Sequence, residues 1–241
     1  MKPLEQDHTL EELRITDLHS FYDESHILHG VDLTVCRGEL VTLVGRNGSG
    51  RTTTLRAILD LVGHSTGSII LKGREVIGMQ THQIAHLGVG YCPEERGIFS
   101  SLNVEENLML PPTLQGGGLS IDEIYDMFPN LSERRYSPGT CLSGGEQQML
   151  AMARILRTGA DFLLLDEITE GLAPVIVKRL GEVLIMLKER GYTIILVEQN
   201  FHFASSIADR HYVMEHGHIV EMIEKDEVEA KADLIDSYLS V

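Results

Sequence analysis

The run Gly45-Arg46-Asn47-Gly48-Ser49-Gly50-Arg51-Thr52-Thr53 limits what this chain can fold into more than any other stretch of it. It stands between Glu39-Leu40-Val41-Thr42-Leu43-Val44, a short apolar, β-rich run, and Thr52 to Leu61, which has helical character. A strand that enters a glycine-rich turn and leaves as a helix brings a row of backbone N–H groups together at the positive end of that helix. The turn fits the phosphate-binding pattern G-x-x-x-x-G-K-[ST] at every position except one: Arg51 stands where lysine is usual. On this reading the loop cradles the β- and γ-phosphates of a nucleotide, the Thr52 hydroxyl ligates Mg²⁺ and Thr53 reaches the α-phosphate. A glycine-rich turn can also be a plain connection. The strand-loop-helix context favours the phosphate.

Composition restricts what such a site can serve. Lysine and arginine number 20 against 36 acidic residues, a net charge of −16, and a surface that negative repels nucleic-acid phosphates. No nucleic-acid partner is expected. Cys36, Cys92 and Cys141 are isolated, without the pairing that a disulfide framework or zinc site needs, and read as small buried residues of a reducing compartment. The stretch Met1 to Leu13 is polar and acidic, unlike an export signal. The longest apolar runs, Phe162 to Leu165 and Val183 to Leu187, are far short of the roughly 20 residues that cross a bilayer. A cytoplasmic chain is expected, with any membrane role exercised through a partner.

At 241 residues the chain suits one large α/β domain with at most a smaller insertion. Residues 1–10 read as a loose extension, and the alternation in Leu13 to Leu18 and Val31 to Val35 predicts half-buried antiparallel strands. Residues 67–77 give another β pair, and Val89 to Cys92 a strand that turns at Pro93. Between 93 and 158 the character changes to helices joined by Gly- and Pro-bearing loops, which predicts a helical subdomain inserted into a nucleotide-binding core formed by 11–92 and 159–241. Its last helix carries Met149, Met152, Ala153 and Leu156 on one face and ends at Gly159. Phe162 to Leu165 then reads as a parallel strand covered on both faces. A helix follows from Pro174 to Gly191, and Thr193 to Val197 returns as a strand. The acidic run Glu221 to Glu229 reads as a solvated helical face.

Two further motifs carry chemistry. Leu142-Ser143-Gly144-Gly145-Glu146-Gln147-Gln148 contains a capping box in Ser143 and Glu146. Capping does not explain two successive glycines, each costing roughly 1 kcal/mol against alanine in a helical turn. Bare backbone at a helix N-terminus suits a phosphate. Phe162-Leu163-Leu164-Leu165-Asp166-Glu167 is a buried strand ending in two acids, which could be helix caps. Because neighbours on a strand point apart, Asp166 could instead hold Mg²⁺ while Glu167 polarises the attacking water. The eleven histidines form no recognisable metal-ligand pattern, and ordinary roles are expected of them.

A phosphate loop followed by this second motif resembles the ABC ATPase family, whose signature motif is LSGGQ, with Glu146 here in place of its last Gln. The resemblance runs in order from about residue 12 to 222. It implies a P-loop NTPase core with a mixed, largely parallel sheet, an antiparallel β subdomain and an inserted helical subdomain. It also implies Tyr22 stacked on adenine, Glu94 at the position of the Gln that meets Mg²⁺ and water, Glu170-Gly171-Leu172-Ala173 as the D-loop, with Ala173 where Asp is usual, and Gln199 in place of the switch histidine. Cys92 to Phe99, Gly171 to Pro174 and Val197 to Asn200 resemble the ATPase subunits of branched-chain amino acid importers, which carry Glu and Gln at these positions. Arg51 and Ile168 depart from the family, the latter replacing a Pro.

The resemblance implies ATP hydrolysis with Mg²⁺ in a pair of related ATPase subunits, each nucleotide lying between one subunit's phosphate loop and Ser143, Gly144, Gly145 and Glu146 of the other. Glu94 and Gln199 favour a heterodimer, so that the partner can supply the usual residues to one site, with a homodimer as the alternative. The pair would sit on the inner face of the membrane, bound to transmembrane permease subunits through the helical subdomain. Alternatives are an importer of urea or short amides, a soluble ABC ATPase of translation or repair, and a binding-only module in which Arg51 and Gln199 have abolished turnover.

Overall fold

The computed structural model describes residues 10–239, so all but the last residue of the loose extension expected at 1–10 lies outside the described residues. The strands are β1 (Glu11–Tyr22), β2 (Ser25–Cys36), β3 (Leu40–Gly45), β4 (His64–Leu71), β5 (Arg74–Glu75), β6 (Val89–Cys92), β7 (Phe162–Asp166), β8 (Thr193–Glu198), β9 (Arg210–Glu215) and β10 (His218–Glu224). The helices are α1 (Arg51–Ile58), α2 (Thr81–Ala85), α3 (Val104–Met109), α4 (Ile121–Met127), α5 (Pro129–Glu133), α6 (Gly144–Arg157), α7 (Pro174–Glu189), α8 (Phe201–Ile207) and α9 (Ala232–Leu239). Among the described residues no helix is long and apolar enough to cross a membrane.

Apolar runs without alternation become central strands. β3, β7 and β8 are buried at every residue and lie in a six-stranded sheet of order β10-β9-β3-β8-β7-β6. All its pairings are parallel except β9 with β10 at the edge. Successive residues feed opposite faces: Leu163, Leu165, Ile194 and Leu196 pack with Met149, Leu156 and Leu184 of α6 and α7. Phe162, Leu164, Ile195 and Val197 pack with α1 and with Leu13, Ile15 and Leu33 of a second sheet. That sheet is antiparallel, order β2-β1-β4-β5, with the expected alternation of buried and exposed residues. The fold is therefore the mixed α/β architecture expected, with α3 to α6 between β6 and β7.

Three details differ from the sequence reading. The acidic run from Glu221 is not a helical face: Glu221 and Glu224 lie on β10, paired with Val213 and Arg210 of β9, and a 3₁₀ turn follows at Lys225–Glu227. Edge pairing of Ile219, Glu221 and Ile223 with Met214, Val213 and His211 of β9 outweighs the helical propensity of the glutamates. Of the three cysteines only Cys92 is buried; Cys36 is half-buried and Cys141 exposed. The first helix stops at Ile58 rather than Leu61, because Asp60 adopts a left-handed backbone at φ 55°.

Candidate functional site

β3 delivers the phosphate loop at its C-terminal end, and α1 leaves it at Arg51. Gly50 caps α1 with φ 107°, and a Cβ there would stand 2.8 Å from Leu28 Cδ2, so both backbone and packing demand glycine. A groove of about 440 Å³ opens over this turn. Asn47, Gly48, Ser49, Gly50, Arg51, Thr52 and Thr53 of the loop border it; Tyr22, Glu94, Glu167 and Gln199 arrive from four other segments. Gly45 ends β3 beneath the loop, while Arg46 turns outward to donate to the Tyr238 and Ser237 carbonyls of α9 at 3.2 and 3.3 Å. The Ser49 hydroxyl is buried without a hydrogen-bond partner among the described residues, a polar atom suited to an anionic ligand.

At the groove floor the Thr52 hydroxyl donates to Asp166 Oδ1 at 2.9 Å, and the Tyr91 hydroxyl donates to Asp166 Oδ2 at 3.1 Å. Burial raises the Asp166 pKa above the ordinary carboxylate value, against the lowering effect of these two bonds. Hydroxyl and carboxylate oxygens are hard donors of the kind Mg²⁺ takes, and the pair fits one. Carboxylate oxygens of Glu94, Glu167 and Glu170 lie within 4.8 Å of one another nearby.

Glu167 follows β7 with a left-handed backbone, φ 48°, unusual for a non-glycine residue and held by its N–H bond to the Val197 carbonyl at 2.9 Å. Both its oxygens are engaged. Oε1 accepts from Arg51 Nη2 at 2.9 Å, and Oε2 accepts from Gln199 Nε2 at 2.6 Å. Arg51 is only 4 % exposed. Its fork also donates to the Glu198 carbonyl at 2.8 Å and to Asn47 Oδ1 at 3.2 Å. Burial lowers the Arg51 pKa, opposed first by Glu167. Arginine at this position thus ties the phosphate loop to the strand ends of β7 and β8, which a lysine with one compact charge could not do at three places.

The structure also contains partners that no sequence pattern placed at this centre. Tyr91 and Glu170 border the same centre, and Tyr91 and Tyr22 beside Arg56 of α1 raise the pKa of that guanidinium. Glu198 is buried beneath Arg51 and accepts from the Thr169 N–H at 3.2 Å and the Thr169 hydroxyl at 2.9 Å. Burial pushes its pKa from 4.5 up to about 7. The native state therefore keeps a proton that the unfolded chain releases above pH 4.5, so this contribution to stability is complete below that pH and is lost as the pH rises through 7. Glu198→Gln is expected to stabilise the fold by on the order of 2 kcal/mol near pH 8.5, a gain that shrinks steadily toward pH 5. Urea midpoints of both proteins across that range check it; a gain independent of pH would show that Glu198 is not the titrating group.

Ser143, Gly144, Gly145 and Glu146 lie outside the groove. The capping box forms, with the Ser143 N–H donating to Glu146 Oε2 at 2.7 Å and the Glu146 N–H to Ser143 Oγ at 3.3 Å. The two glycines have different reasons. A Cβ on buried Gly145 would stand 2.9 Å from the Ile176 side chain, so α6 and α7 need it for packing. Gly144 is partly exposed and meets only the flexible end of Arg96 at 3.3 Å. Gly144 is therefore the residue of the pair that leaves this helix start open to a phosphate.

Residues 28–170 match the ABC transporter family. The chain is 38 % identical over 86 % of its length, and 91 % of the relative, to the high-affinity branched-chain amino acid transport ATP-binding protein BraG of Pseudomonas aeruginosa. It is 36 % identical, covering 86 % of the chain and 89 % of the relative, to the probable branched-chain amino acid transport ATP-binding protein LivF of Archaeoglobus fulgidus. The lipopolysaccharide export system ATP-binding protein LptB of Haemophilus influenzae is 33 % identical over 86 % of this chain and 88 % of its own. Among solved structures, a nucleotide-free ATP-binding cassette from an ABC transporter superposes with a TM-score of 0.81 at 21 % identity, over 96 % of this chain and 98 % of that one.

Proposed function

The chain belongs to the ABC transporter family and is an ATP-hydrolysing transporter subunit, and from that premise we propose that it powers the import of branched-chain or other amino acids. The two branched-chain amino acid relatives support this, together with Cys92 to Phe99, Gly171 to Pro174 and Val197 to Asn200. The similarity to LptB favours a second reading, an ATPase of an export system.

One observation carries the catalytic part: the phosphate loop, the Thr52–Asp166 pair and Glu167 converge on a single groove. Loop N–H groups and Arg51 bind the phosphates, and Tyr22 takes the adenine. Mg²⁺ at Thr52 and Asp166, with Glu94 beside them, would neutralise charge on the β- and γ-phosphates. Glu167 orients a water for in-line attack and accepts its proton. Arg51 and Gln199 each donate to one Glu167 oxygen, and transfer of the Arg51 contact to the incoming γ-phosphate would raise the basicity of that carboxylate toward water. Arg51 is the group for which an anionic phosphate competes best.

Ser143, Gly144, Gly145 and Glu146 serve the nucleotide of a partner ATPase subunit. With Glu94 and Gln199 in place of the usual residues, a heterodimer lets the partner supply them to one of two unequal sites. Residues 93–158 form the helical subdomain that meets the permease and holds the pair at the inner membrane face. Purifying the complex from membranes and measuring its hydrolysis with its solute-binding protein tests this reading. A second, related ATPase subunit and severalfold stimulation by an amino acid are expected. Co-purification with export components, or no response to any amino acid, would overturn import.

A further inference from the structure

Three of the eleven histidines, on β1 and β2, come together on one face of the antiparallel sheet and a fourth meets them from β10 of the six-stranded sheet, although no sequence spacing connects them. β1 is irregular at the centre of this face. Its register against β2 shifts between Ile15 and Leu18 and again between Leu18 and His19, and its register against β4 shifts between Thr16 and His19. Within the bulge Asp17 takes a left-handed backbone at φ 47°, its N–H donating to Asp32 Oδ1 at 3.0 Å. A bulge re-aims the side chain it carries. Here it brings Asp17 Oδ1 to 3.1 Å from His19 Nε2.

That contact fixes the tautomer. With the proton on Nε2 donated to Asp17, His19 Nδ1 carries a lone pair and accepts from His26 Nε2 at 3.1 Å; a metal ion would replace that proton, His26 moving to its Nδ1–H tautomer so that both facing nitrogens present lone pairs. Neighbouring nitrogen ligands on one tetrahedral or octahedral ion, with metal–nitrogen bonds of about 2.0–2.1 Å, stand roughly 2.9–3.4 Å apart. A carboxylate behind the ligating imidazole is the usual second partner in such sites. Phe21 stacks on His26 with centroids 4.2 Å apart and holds that ring in place. His29 lies opposite His19 in the β1–β2 register, its ring centroid 3.9 Å from that of His26. His218 of β10 stacks on His29 at 5.3 Å.

We propose that His19 Nδ1 and His26 Nε2 chelate a borderline transition-metal ion of the Zn²⁺ class, with His29 as third ligand after rotation of its ring and Asp17 orienting His19. The site is separate from the nucleotide groove but adjoins it. Tyr22 and Ile27 of the same hairpin border that groove, and the His29 N–H donates to the Gly217 carbonyl, whose own N–H donates to the Ser49 carbonyl of the phosphate loop, both at 2.9 Å.

The test is calorimetric titration of the untagged full chain with Zn²⁺ in excess Mg²⁺, which blocks the hard carboxylate sites. One ion per chain is expected, with micromolar affinity. His19→Ala and His26→Ala are each expected to weaken binding at least tenfold, and Asp17→Asn severalfold through loss of orientation. Glu94→Gln, at the separate acidic cluster, should leave the affinity unchanged. Imidazole resonances followed by NMR give a readout independent of ATP hydrolysis and also report whether each variant is folded: Zn²⁺ should shift those of His19, His26 and His29 in the parent chain. Absence of saturable binding, or affinity unaltered in the folded His19→Ala and His26→Ala variants, would overturn the site.

Discussion

Glu167→Gln is expected to leave Mg-ATP affinity near that of the parent chain and to slow hydrolysis by a factor of about 10² to 10⁴, the range that one positioned proton acceptor supplies. The geometry should survive the change. An amide oxygen still accepts from Arg51, and a flip of the exposed Gln199 amide presents its oxygen to the new NH₂. What is lost is the carboxylate's ability to take a proton from water. Single-turnover hydrolysis beside equilibrium nucleotide binding measures the two effects separately. Near-normal turnover would remove Glu167 from the mechanism, and a large loss of affinity would make it a binding residue instead.

Arg51 gives the second large effect. Arg51→Ala removes the side-chain cation from the phosphate loop together with three contacts, to Asn47 Oδ1, the Glu198 carbonyl and Glu167. ATP affinity is expected to fall at least tenfold, about 1.4 kcal/mol, through loss of charge-assisted bonds to phosphate. Arg51→Lys separates charge from latch. An ammonium without the planar guanidinium fork retains the charge but cannot reach all three partners, so Glu167 is freed for water. This variant is expected to bind ATP as the parent does and to turn it over faster. Unchanged affinity in Arg51→Ala would mean that the backbone cradle suffices.

How much of this was legible in the sequence depends on whether the determining contact was local. The unbroken apolar runs of β3, β7 and β8 and the glycine-rich turn between β3 and α1 announced the core and the phosphate loop, because burial on two faces and a positive φ at Gly50 each leave a signature in the residues themselves. The family resemblance added Tyr22, Glu94 and Gln199, which arrive at the same groove. The Arg51–Glu167 contact was not legible: 116 residues separate the two, and only the parallel placement of β3, β8 and β7 brings their ends together. The packing requirement at Gly145 is equally absent from the local sequence, because the Ile176 side chain that sets it comes from α7. The histidine group was invisible because a bulge and a cross-strand register, rather than spacing, assemble it.

In the proposed assembly, Ser143 to Glu146 of this chain act on a nucleotide held by another subunit. Gly144→Asp tests it most directly. Gly144 lies outside this chain's own groove, its Cβ meets only the flexible end of Arg96, and a carboxylate in the first turn of α6 favours that helix. Against a γ-phosphate about 4 Å away the same carboxylate costs roughly 4 kcal/mol at an effective dielectric of 20, more than a hundredfold. The isolated Gly144→Asp chain should therefore bind Mg-ATP like the parent, while the assembled complex loses at least one of its two hydrolytic sites. Full turnover by the complex, or weakened ATP binding by the isolated chain, would contradict the account.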